Sequence, residues 1–129
     1  MDNPGPHIFT FDEANSILAV IQPLMRDALE IRNKILASRG EIWPVIEKAL
    51  GNGGNLAAGL AVQDFERLNK LVHQIQSTGA ILKDINTGLV DFPALRDGRE
   101  VYLCWKYGED RIAYWHPIGS GFTDRQIWD

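Results

Sequence analysis

From Ala14 onward, apolar residues recur at Ala14, Ile17, Ile21, Leu24, Ala28, Ile31 and Ile35, with Leu18, Met25 and Leu36 beside them. Alternating steps of three and four keep one apolar stripe on a helix, which predicts a single amphipathic helix over about residues 11 to 38. The stretch "TFDEAN" marks its start: the Thr10 hydroxyl can cap the first turn while Glu13, three residues on, reaches back to the Thr10 amide. Ile8 or Phe9 before the cap is placed to staple onto that turn. Pro23 lies inside the pattern, where it removes one hydrogen bond and kinks the helix. A break there is the alternative, but the stripe runs through Pro23 without a change of phase.

Residues 39–55 read as a connector, with a short helix in "GEIWPVIEKAL" around Pro44 that the glycines of "GNGGN" end. A second stripe, Ala61, Phe65, Leu68, Val72 and Ile75, predicts a helix over about residues 56 to 77 that Gly79 stops. Two matching stripes joined by a short excursion predict an antiparallel helical hairpin over 11–78. Beyond Gly79 the period falls to two, and "AILKDI", "LVDFPAL", "REVYLCWKY" and "RIAYWHP" read as strands. The expected fold is therefore α+β: one domain over 1–129, a long helical hairpin followed by a three- to four-stranded antiparallel meander over 80–117, and an irregular tail over 118–129.

The turn "LRDGRE" sets the first register, because Asp97-Gly98 suits a two-residue type I′ loop. Val90, Phe92 and Ala94 then face Trp105, Leu103 and Val101 on one apolar side, and Asp91 faces Cys104 on the other. At "KYGEDR" the rules disagree. A two-residue Gly108-Glu109 loop points His116 into the apolar face, whereas a three-residue loop sets Tyr102 against His116. The second is preferred, since it also keeps apolar and polar faces apart.

Composition narrows the function classes. The 129 residues are 45% hydrophobic with a formal charge of −4, and no stripe of Lys and Arg suggests a nucleic-acid partner. No run approaches the roughly 20 apolar residues needed to span a bilayer, and "MDNPGPHIFTF" lacks the pattern of a secretory signal. One cysteine cannot form an intrachain disulfide, so a reducing cytoplasm is the expected setting.

With the three-residue loop, one sheet face displays Asp91, Glu100, Tyr102, Cys104 and His116, with Lys106 beside them. Thiol, imidazole and carboxylate are the ligand types of a divalent metal such as zinc, which makes Asp91, Cys104 and His116 the candidate ligands. No spacing of the C-x-x-C or H-E-x-x-H kind supports them, and a lone cysteine is most often a small buried hydrophobe. Asp91, set among apolar neighbours, needs a partner, for which Lys106 and Arg99 are the expected cations. In "GSGFTDR" glycine amides and Arg125 could wrap an anion, against the plain reading of a loop. Tyr102, Trp105, Tyr107, Tyr114, Trp115 and Phe122 are expected to pack beneath the helices, with Met25 in the packing and His73 on the surface. A 28-residue helix is about 42 Å long and a five-residue strand covers only about 17 Å. Part of the helical seam therefore calls for a second copy, a homodimer through the hairpin.

"FTFDEANSIL", "DINTGLVDFPALRDGREVYLCWKYGEDRIAYWH" and "GFTDRQ" together closely resemble domain-of-unknown-function family 2203. The resemblance covers nearly the whole chain and is weakest over Arg39 to Leu56. It implies a bacterial, single-domain, cytosolic protein, and it implies no activity, so no catalytic residue is carried over. The leading expectation is a non-enzymatic module that binds a small ligand or a protein through the polar sheet face. The alternatives are a metal-assisted or Cys/His hydrolase on that same face, and a scaffold acting through its helices.

Overall fold

A computed structural model describes residues 7–51 and 62–129. Helix α1 (Phe11–Arg39) begins with the expected capping box, Glu13 N donating to Thr10 Oγ1 at 3.0 Å and Thr10 N to Glu13 Oε1 at 2.8 Å. It continues through Pro23. Phe9, just before the cap, is tied to the sheet. Its amide donates to Pro93 O at 2.7 Å and its side chain is buried against the sheet.

The buried face of α1 is Ala14, Leu18, Ile21, Met25, Ala28, Ile31 and Ile35. Leu18 and Met25 thus take the places expected of Ile17 and Leu24, which are only partly buried. A straight helix turns every 3.6 residues, so a stripe drawn at 3.5 drifts off the core-facing line. A single 3-10 turn (Gly40–Ile42) leads into α2 (Trp43–Ala49), with Pro44 in its first turn where the missing amide costs nothing. Helix α3 (Val62–Gln76) buries Phe65, Leu68, Val72 and Ile75; the expected start of this helix and Ala61 lie outside the described residues. In place of a plain two-helix hairpin, a bent run from α1 through α2 is joined by α3 over one shared core. Of the seam positions, Ala14, Ile21, Ala28, Ile31 and Ile35 are buried within the single chain, and Ile17 and Leu24 are partly exposed. Among the described residues no helix is long and apolar enough to cross a membrane.

The sheet is antiparallel and has five strands in sequential order, β1 (Ile81–Asp84), β2 (Leu89–Arg96), β3 (Arg99–Lys106), β4 (Tyr114–Pro117) and β5 (Gln126–Ile127). The fifth corrects the expected count of three to four. It comes from the tail, which was expected to be irregular over its whole length and instead returns to pair with β4. Asp97 and Gly98 have φ of 53° and 77°, the positive pair a type I′ turn requires, and Asp91 pairs with Cys104 as expected. Tyr102 pairs with His116 and Leu103 with Trp115, the register of a three-residue loop. The ladder stops at Cys104 and Tyr114, however, because Asn15 of α1 holds the amide and carbonyl of Ile112 at 2.9 and 3.2 Å and draws the loop onto the helix. Val90, Phe92, Ala94, Val101, Leu103 and Trp105 form the inner face against the helices.

Candidate metal centre

The outer face holds a second buried group. Asp91, Cys104 and His116 stand on β2, β3 and β4 and are 2%, 0% and 2% exposed. Asp91 and Cys104 are directly opposed, and His116, two pairs further along and so on the same face, reaches diagonally over β3 to Asp91. Its Nε2 lies 3.1 Å from both carboxylate oxygens. A carbonyl only accepts, so the 3.0 Å contact from Nδ1 to Pro117 O places a proton on Nδ1 and directs Nε2 at the cluster. The expected partners of Asp91 are elsewhere. Lys106 lies over the Phe122 ring, and Arg99 falls on the alternate face near the turn, exposed.

The Asp91 carboxylate and the Arg125 guanidinium are the charged groups that act on the Cys104 thiol. Burial, reinforced by the neighbouring carboxylate, pushes the thiol up to about 12 and outweighs the guanidinium, so the unmetallated group is a thiol and not a nucleophilic thiolate. His116 offers it no base, since both ring nitrogens are already engaged. Asp91, Cys104 and His116 are nonetheless a complete three-ligand set, with all donor atoms within 4.8 Å of one another. Tetrahedral zinc with these donors needs ligand atoms about 3.3 to 3.6 Å apart, so the cluster must contract by little more than ~1 Å.

The outer face is roofed by the tail. Arg125 lies 4.2 Å from the Tyr114 ring centre and 4.1 Å from that of Phe122, and its two Nη atoms donate to the Glu109 carboxylate at 3.0 and 2.9 Å. It is therefore a closing residue, and its guanidinium pairs with the protein's own Glu109. Tyr102 stands beside His116, ring centres 5.5 Å apart, with Lys83 over its ring. Glu100 is exposed at the turn end of β3 and does not join the cluster. Of the six aromatic residues expected under the helices, Trp105 is fully enclosed and Trp115 is partly buried against the core, whereas Tyr102 and Tyr114 belong to this outer layer and Tyr107 and Phe122 are exposed. Met25 is packed and His73 exposed, as expected. Sequence reasoning missed Glu109 and Asn15. The acid three residues after Lys106, whose amide Glu109 Oε1 accepts at 2.8 Å, was the available signal for the first.

No curated protein and no solved structure matches this chain. The blocks that build the cluster, "GLVDFPA", "REVYLCW" and "YWH", all fall within the residues 7–127 that match a family model, and the chain belongs to that family, described as an uncharacterized conserved protein, DUF2203.

Proposed function

We propose that the domain is a non-enzymatic binding module whose ligand is a divalent metal ion, zinc by donor type, held by Asp91, Cys104 and His116. The observation that carries this reading is the orientation of His116. A metal-bound imidazole usually donates its other N–H to a carbonyl or carboxylate, and here Nδ1 donates to Pro117 O while Nε2 meets the Asp91 carboxylate beside Cys104. The charge balance supports a dication. A carboxylate, a thiolate, a neutral imidazole and M²⁺ sum to zero, so a bound dication would leave no net charge buried. The soft sulfur favours zinc over magnesium or calcium.

The hydrolytic alternative is less well supported, because the thiol is held protonated and the cluster is enclosed. The lone thiol suits a cytoplasmic setting. In this reading α1 and α3 act as the helical hairpin that backs the sheet, and the protein needs no nucleic acid or membrane to function. Cobalt(II) titration tests the assignment. One equivalent should bring up a thiolate-to-cobalt charge-transfer band that Cys104→Ala abolishes. Binding without that band would remove Cys104 from the ligand set.

A further inference from the structure

The donor atoms are sealed, and a ligand has to reach them from somewhere. The inner face offers no path, because Val90, Phe92, Leu103 and Trp105 are all 0% exposed beneath the helices. On the outer face, Cys104 pairs with Tyr114, Tyr114 pairs with Ile127, and Arg125 lies over the Tyr114 ring, near enough to Cys104 to interact with it electrostatically. The Arg125 side chain is 13% exposed and is held by Glu109, which belongs to the loop between β3 and β4. The backbone bonds of 118–125 are local turns, Ser120 to Pro117, Asp124 to Gly121 and Arg125 to Phe122, and β5 is only two residues long. Side chains therefore carry most of the closure. A segment with few backbone ties is where a fold opens at low cost.

We infer that the Glu109–Arg125 clamp is the gate of the buried centre, and that Cys104 and its neighbours meet solvent only when Arg125 leaves the Tyr114–Phe122 slot. Arg125 lies against the Tyr114 and Phe122 rings, is bonded by both Nη atoms to the Glu109 carboxylate, and so joins the tail to the β3–β4 loop beside Cys104. The guanidinium is here a positioning group. It takes no part in ligation, and it sets how fast a metal enters or leaves without changing which atoms hold it. The role in metal exchange rests on the metal reading; the gating of Cys104 does not.

The test uses the whole chain in two arms. In the first, metal-free protein in chelator reacts with the aromatic disulfide DTNB, and the rate of Cys104 modification is compared for wild type, Glu109→Gln and Arg125→Lys. Removing the two charge-assisted bonds should raise the open population, and with it the rate, about ten- to hundredfold, with little change in melting temperature. Arg26→Gln, which breaks the exposed Arg26–Asp27 pair, should leave the rate unchanged. Equal rates in all proteins, or a gain matched by a general loss of stability, would overturn the gate. In the second arm, zinc-loaded wild type and the same variants are mixed with excess chelator, and release should quicken in step with labelling at unchanged stoichiometry. A wild type that takes up no zinc sinks the metal reading, and the labelling arm then decides the gate alone. Zinc uptake with identical release rates sinks the gating of exchange alone.

Discussion

Replacing Asp91 by Ala in the metal-free protein is a direct probe of the cluster's energetics. The change leaves a His116 ring that is 3% exposed facing the space of a lost carboxylate, with Nδ1 still tied to Pro117 O and, among the described residues, no other side chain donating to or accepting from Nε2. Removing one member of a buried, hydrogen-bonded pair costs about 3–5 kcal/mol, because the other stays desolvated and unpaired. For a chain of this size that lowers the melting temperature by roughly 10–20 °C. His116→Ala should cost a similar amount. The double variant should cost clearly less than the sum, since neither polar group then remains stranded, with a coupling of about 2 kcal/mol or more. The assay is urea unfolding in chelator for the four proteins. Single-variant losses below about 1 kcal/mol, or strict additivity, would show that the 3.1 Å contacts do not form in solution and would refute the reasoning.

Three further outcomes follow from the same geometry. Gly88→Ala should destabilise the fold by about 2–4 kcal/mol in thermal melts, because φ is +73° and a Cβ there would lie 2.7 Å from Tyr107 Cβ. Thr10→Ala removes a formed capping box and should cost about 1 kcal/mol, read by urea unfolding. In chelator, the folded thiol stays protonated up to about 12 whereas an ordinary one ionises near 9.0, so the contribution of Cys104 is intact below pH 9 and is lost as pH rises from 9 toward 12. Wild type should therefore lose stability relative to Cys104→Ala by roughly 1.4 kcal/mol per pH unit across that window, and a constant difference would contradict the raised value.

What the chain discloses by itself depends on how local the cause is. The capping box, the Asp97-Gly98 turn and the buried periodicity of α1 are set by residues within one turn or one hairpin, and they are present as read. That turn alone places Asp91 opposite Cys104, so most of the cluster follows from two residues of turn chemistry. His116 was reached by a different criterion, the segregation of apolar and polar faces, which turn preference opposed. Its pairing with Asp91 was still missed: a search for cations passed over an imidazole one strand further away, while Lys106 had a ring to cover. The tail was illegible for a related reason. Its two-residue β5 has no alternation to detect, and Arg125 is held by an acid 16 residues away. The Asn15 contacts to Ile112 span 97 residues and lengthened a loop whose local sequence offered only two- or three-residue turns.

The central claim, a divalent ion on Asp91, Cys104 and His116, is tested most directly by native mass spectrometry of untagged protein purified without chelator or added metal. The account predicts one zinc per chain in wild type and in His73→Ala, and none in Cys104→Ala or His116→Ala. The same spectra read the oligomeric state. A wild type that keeps its bare mass after incubation with excess zinc, or that holds zinc equally well without Cys104 and His116, would contradict it.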